Sequence, residues 1–218
     1  MSGPRVPSSL LEAVRSDLQP VHPFAPPGRR ALALLPLGIA VLIGIPAFWT
    51  WWSHLRVLAP PSSWLVSPIE IGFSLVILAA TFRESIPGRE LSLVQVAAIV
   101  GVAVMLFLIA NPMLPPSGQF SSDLLQHWIV ECIFRATAFS VPALILPMLL
   151  LARGLPNRPA LAGALCGLAV GFMGDAGLRL LCWDGEYAHV IYAHAGAIVI
   201  AMVIGTLVSI TCSNRRRH

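Results

Sequence analysis

The sequence predicts an all-α polytopic membrane protein: a bundle of six transmembrane helices carrying a short cytoplasmic N-terminal tail. Three observations predict it. The 218 residues are 56% hydrophobic and only 11% charged, against roughly 25% charged in a soluble domain. Six apolar runs follow one another, each near the ~20 residues that a helix needs to cross a bilayer. The basic residues are all Arg, 14 of them with no Lys, and six spans put eleven of the 14 on one side. The same composition argues against a soluble globular enzyme, and it excludes a disordered or collagen-like chain.

Residues 1–30 form a polar, Pro-rich tail. Ser9 is placed to cap a helix, with Glu12 three residues on as its capping-box partner. Leu10, Leu11, Val14 and Leu18 then fall at helical spacing, which predicts a short amphipathic helix over about 9–18. Beyond Asp17, the residues Pro20, Pro23, Pro26 and Pro27 end it and extend the chain. So short a helix is marginal alone in water, so its apolar stripe needs a partner. No short apolar region lies near Met1, so no cleavable signal peptide is expected and the first span directs insertion.

The spans are expected over about 31–52, 64–82, 91–110, 128–151, 159–181 and 188–212, followed by a basic C-terminus over 213–218. Trp49, Trp51 and Trp52 close the first as an interfacial belt. The segregated residues are Arg5, Arg15, Arg29 and Arg30 before the first span, then Arg83, Arg89, Arg153 and Arg158 in two loops, then Arg215, Arg216 and Arg217. Only Arg56 falls on the other side, while Arg135 and Arg179 lie inside spans. The positive-inside rule then places both termini in the cytoplasm, and an odd number of spans would break the pattern. The Arg excess thus reads as topology before it reads as nucleic-acid binding, and no direct nucleic-acid partner is expected. The lipid bilayer is the first partner.

Charges inside a membrane are costly and usually pair. The tight turn Arg153 to Arg158 makes the fourth and fifth spans an antiparallel hairpin, along which heights are comparable at about 1.5 Å per residue. Arg135 then stands level with Asp175, and Glu131 level with Arg179, a polar lock in the outer half of the hairpin. Each lock member also has a partner at i,i+4 on its own helix. Snorkelling of each charge to water is the plainer alternative. Cys132 and Cys182 approach the same outer face. Such a pair can form a disulfide, bind a soft metal, with His127, His189 and His194 as neighbouring ligands, or simply fill space as small apolar residues. Cys166 and Cys212 take the last reading, and no metal ligand set is assigned. Gly163, Gly167 and Gly171 recur every four residues on the fifth span, a face for close packing against the fourth or sixth span or for a homo-oligomer contact. No nucleophile–base set, no HExxH and no Walker loop is present, so neither an enzyme nor a cofactor is expected.

Three segments carry a family resemblance. The tail has Asp17-Leu18-Gln19-Pro20-Val21, then Pro23, Pro26, Pro27 and Arg29-Arg30. The second connection has Ile86-Pro87-Gly88. A third stretch runs from Cys132 through Asn157-Arg158-Pro159-Ala160-Leu161-Ala162-Gly163-Ala164-Leu165 and Gly167-Leu168-Ala169 to Gly171 and Cys182. In this order and spacing the chain resembles the NrsF-type anti-sigma factors, negative regulators of extracytoplasmic-function sigma factors in proteobacteria. The resemblance implies six spans in the bacterial inner membrane and a sigma factor held at the cytoplasmic face. The expected tail contact then joins the apolar stripe Leu10, Leu11, Val14 and Leu18, extended by Val21 and Phe24, to the signature residues Asp17, Pro20 and Pro23. The resemblance also links Cys132 and Cys182 to sensing of heavy-metal or oxidative stress. The sequence departs from the family pattern at Glu70, where a basic residue is common, at Ile191-Tyr192 and around Gly177-Leu178-Arg179. The competing reading of the intramembrane charges is a small transporter or metal-handling permease, which the absence of an inverted repeat disfavours.

Overall fold

The structure is a computed structural model that describes residues 7–17, 25–53, 61–111, 122–154, 156–182 and 185–215. All regular structure among them is helical. The first helix is α1 (Ser8–Asp17). Ser9 is its second residue rather than its cap, because Leu10 N–H already bonds Pro7 O and starts the first turn one residue earlier. Six stretches are long and apolar enough to cross a membrane: Pro27–Trp52, Ser62–Glu84, Leu93–Ala110, His127–Ala152, Pro159–Arg179 and Tyr187–Arg215. They are built from α2 (Pro27–Leu32) with α3 (Leu35–Ser53), α4 (Pro61–Glu84), α5 (Leu93–Ala110), α6 (Ser122–Ala143) with α7 (Ile145–Ala152), α8 (Pro159–Arg179), and α9 (Tyr187–His189) with α10 (Gly196–Arg215). Six crossings return the chain to the face it started from, called here the terminal face; the other is the far face.

Three spans depart from a regular α-helix. The first is interrupted at Ala33 and Leu34, between α2 and α3, where Leu34 N–H bonds Ala31 O at 2.9 Å. The fourth breaks at Leu144, between α6 and α7. Pro142 and Pro147 flank the break; neither has an N–H to donate, and the Pro147 ring crowds the carbonyl four residues before it. Leu144 N–H is instead shared between the carbonyls of Ser140 and Val141, at 3.1 and 3.2 Å. In the sixth span a π-helical turn, Val190–Ala195, joins α9 to α10.

The fifth span is the axis of the bundle. Some 89% of it is buried, against 11% of the third span, which sits at the periphery. Spans one, two, four and six all pack on α8. A helix surrounded on every side must be thin, and α8 is rich in Gly and Ala. Gly163 and Gly167 meet the backbone of α10 at Gly205, Ala201 and Met202, and Gly171 meets Ile198. Gly174 abuts Ser140 of the fourth span, and Gly177 abuts Val41 and Ile45 of the first.

At the terminal face, polar side chains fasten the connections. Arg158 holds Glu84 with Nε and Nη2 at 2.7 and 2.8 Å, and donates to Leu91 O at 2.6 Å. The Glu84 side chain is fully buried and accepts Leu91 N–H at 2.7 Å. Asn157 donates to Glu90 at 2.6 Å. The loop between spans two and three is thereby clasped to the turn between four and five. Ser92 and Gln95 form a capping box at the start of α5. Arg30 ties the first span to the fourth through Leu150 O, its guanidinium 4.5 Å over the Phe82 ring.

Candidate functional site

Polar groups gather near the far face in two layers, both centred on the last turns of α8. In the first layer, Asp175 and Arg179 stand one turn apart on α8 and form a buried ion pair. Arg179 also reaches Glu70 Oε1 of the second span at 2.8 Å and donates to Ala110 O at the end of the third. Asp175 Oδ1 meets His194 Nδ1 of the sixth span at 2.6 Å, and its other oxygen accepts from Asn111 at 3.4 Å. The side chains of Glu70 and Asp175 are fully buried, those of Arg179 and His194 almost so. Two carboxylates thus share one guanidinium and one imidazole. In a low-dielectric interior such charges persist only when matched and hydrogen-bonded.

This arrangement corrects the expected cross-hairpin pairing of Arg135 with Asp175 and of Glu131 with Arg179. Arg135 pairs with Glu131 on its own helix, and its guanidinium lies 5.7 Å from the Trp49 ring and 6.0 Å from the Trp128 ring. Level height is not enough; rotation about the axis decides. Gly174 is the position of α8 that faces the fourth span. Asp175 and Arg179 are turned from it by about 100° and 140° at 3.6 residues per turn. They therefore point at spans two, three and six.

The second layer is sulfur and imidazole. Cys132 of the fourth span, Cys182 just after α8 and His189 at the start of the sixth offer ligand atoms that all lie within 4.8 Å of one another. Cys182 Sγ is 3.1 Å from His189 Nε2. All four cysteines are thiols, not disulfides. The Cys182 thiol is held above its ordinary pKa, first by its hydrogen bond with Cys132 and then by burial, against the opposing pull of His189 and His194. An apolar shell of Ala136, Leu178, Ala193 and Ala197 surrounds Cys132, with Ile129 and Ile133 packed on it.

The two layers touch through the histidines. The His189 and His194 rings are 5.6 Å apart, centroid to centroid, and His194 also contacts Cys182. They are five residues apart in sequence, a spacing that an α-helix would splay. The π-helical turn between them brings positions i and i+5 onto one face, and such turns gather at functional sites. His127 is elsewhere, exposed and 3.9 Å from Glu131. Sequence reasoning named the thiols, Asp175 and Arg179, and placed His189 and His194 nearby, but it missed the roles of Glu70 and Asn111. The signal for Glu70 was present: a carboxylate inside an apolar run, absent an obvious partner on its own helix.

Leu10 and Val14 are exposed on α1. Leu11 and Asp17 lie in that helix, and their side chains are outside the described residues, as are Leu18, Pro20, Val21, Pro23 and Phe24 altogether.

Six helices long and apolar enough to cross a membrane, packed around a buried polar cluster, define a multi-pass membrane protein. The chain belongs to the NrsF family, negative regulator of sigma F, whose model matches residues 15–212, nearly the whole chain. A sigma factor is accordingly its partner at the family level. No curated protein and no solved structure matches it.

Proposed function

We propose that this chain is an inner-membrane anti-sigma factor that holds an extracytoplasmic-function sigma factor through its N-terminal tail. It releases that factor when a periplasmic signal acts on Cys132 and Cys182. The observation that carries the reading is α1: a helix of a sigma-regulator chain, exposing Leu10 and Val14 at helical spacing with no membrane-length apolar run of its own. An amphipathic helix of this kind lays its apolar stripe into a groove on a partner. Leu11, Leu18 and the Pro-punctuated segment with Pro20, Val21, Pro23 and Phe24 extend the contact. The Arg distribution orients the terminal face, and with it α1, toward the cytoplasm where a sigma factor works. The thiols then face the periplasm, an oxidising compartment.

The tail assignment is tested by co-purifying the sigma factor with wild type and with the Leu11→Asp, Leu18→Asp double variant in membranes. Capture is lost in the variant; equal capture overturns the assignment. Sensing is tested with a sigma-dependent reporter in cells carrying Cys132→Ser or Cys182→Ser. Each variant blunts induction, and normal induction in both removes the thiols from the mechanism.

A further inference from the structure

The fourth span restarts as α7 after the break at Leu144. Beside it, α10 is drawn onto α8, where Gly163 meets Gly205 and Ser209. Between α7 and α10 a cavity of about 440 Å³ remains. That volume lies within the ~300–1,000 Å³ of small-ligand pockets. Met148, Leu151 and Ser209 are its buried wall, while Ile145, Leu149 and Val208 are exposed on the outer surface of the bundle.

We propose that this groove seats an acyl chain of an anionic phospholipid, whose phosphate lies at the terminal face against Arg153 and Arg215. Two independent observations support it. The first is the polarity of the groove. Its deep end is Ile145, Met148, Leu149 and Val208, and its terminal end is Gly154, Asn157 and Ser213. Ile145 stands seven residues from Ala152, about 10 Å of helix. The groove therefore stays within one half of the ~30 Å hydrocarbon core. Its occupant is polar at the interface and apolar below it, in the same leaflet. An extended peptide there would leave backbone N–H and C=O groups unpaired in hydrocarbon.

The second observation is charge. Arg153 stands between the lining residues Ala152 and Gly154, and Arg215 follows the lining residue Ser213 by two positions. Both are exposed, and among the described residues neither forms an ion pair. The neighbouring carboxylates are already engaged, Glu84 by Arg158 and Glu90 by Asn157. Arg153 is also close enough to Arg30 for like-charge repulsion, which an anion relieves. A guanidinium suits a phosphate because it donates two parallel hydrogen bonds. Basic pockets between spans hold anionic headgroups in this way. A seated lipid then bridges α7 and α10, which the break at Leu144 leaves apart.

The test uses the purified full chain in detergent micelles, read by native mass spectrometry. Phosphatidylglycerol is the probe, and phosphatidylcholine with the same acyl chains is the comparison. One phosphatidylglycerol stays bound per chain at detergent levels that strip phosphatidylcholine. Alkylation of Cys212, which lines the groove and is exposed, slows when phosphatidylglycerol is added. Each Arg beside an anionic lipid is worth about fivefold in affinity. Arg153→Gln and Arg215→Gln therefore each weaken phosphatidylglycerol by about that factor and leave phosphatidylcholine unchanged. Val208→Trp fills the groove and weakens both lipids. Leu93→Trp, at an 82% exposed position on the third span, changes neither. Circular dichroism reports that each variant keeps its helices. Equal affinity for the two lipids, or an unchanged preference in both Arg variants, overturns the headgroup assignment. Cys212 alkylation that ignores bound phosphatidylglycerol places the lipid elsewhere and overturns the groove. Displacement of the lipid by inorganic phosphate shows a site for the free anion, and a dimer that Val208→Trp disperses shows a second copy in the groove. Either result overturns the proposal.

Discussion

His194 Nδ1 and Asp175 Oδ1 stand 2.6 Å apart, and neither side chain is more than 3% exposed. This contact joins the fifth span to the sixth inside the bundle, and it joins the sulfur layer to the ion network. Asp175 is the hub: Arg179, His194 and Asn111 all reach it. Removing any charged member leaves another without its match.

Arg179→Leu leaves Glu70 and Asp175 buried without a guanidinium. Breaking one partner from a buried ion pair costs about 3–5 kcal/mol. Denaturant unfolding in mixed micelles reads the loss. Arg135→Leu is the comparison, because the Glu131 side chain is 36% exposed and can rehydrate, so the cost there is about 1 kcal/mol or less. Equal losses in the two variants would contradict the matched-charge account of the network.

Gly167→Ala puts a methyl group into the backbone of α10 at Ala201 and Met202. Backbone cannot step aside as a flexible side chain can, so the fifth and sixth spans must separate, at about 1–3 kcal/mol for overpacking. Gly101→Ala and Gly72→Ala meet nothing within 4 Å. In those helices the change is neutral or stabilising by about 0.5–1 kcal/mol. Thermal midpoints of the three variants give the order directly.

Arg158→Ala strips the partner from Glu84 and frees the Leu91 carbonyl at once. The loop over residues 85–92 loosens, seen as faster hydrogen exchange at Leu91 N–H, while exchange in α8 is unchanged. Arg158→Lys restores the charge but not the two-pronged geometry, so it recovers only part of the protection. Full recovery by Lys would show that charge alone holds the clasp.

The raised pKa of the Cys182 thiol has a definite sign. The fold favours the protonated form, so this contribution to stability is complete below the ordinary thiol pKa. It is lost as pH rises through the raised folded value. Iodoacetamide labelling of Cys182, followed by peptide mass spectrometry, should reach half its maximal rate at a pH above the ~8.5 of free cysteine. His189 pulls the thiol down, so His189→Asn moves the midpoint further up. A midpoint at or below that of free cysteine contradicts the assignment.

The six-span bundle was legible in the sequence because apolar length and Arg placement are one-dimensional properties. The break at Leu144 was not read, although Pro142 and Pro147 announce it in the sequence. The glycine stripe announced close packing, but only the structure names α10 as its partner. The polar lock shows the limit most clearly. Residue counting set Arg135 level with Asp175, and both are indeed buried. Counting carried no information on which way each helix was rotated.

By itself, then, the sequence determined that this chain crosses a membrane six times and that its Arg residues gather on one side. It also determined that its few intramembrane charges and the two thiols Cys132 and Cys182 stand out against an apolar background. Hydropathy and helix rise add up along the chain, and neighbours do not alter them. Only the tertiary structure decided that Arg179 answers Glu70 as well as Asp175, and that a π-helical turn sets His189 and His194 on one face. It also decided that Cys132, Cys182 and His189 meet at one point. Those contacts depend on helix rotation and on which span sits beside which. Both are settled by packing small residues around α8, and no local periodicity records them.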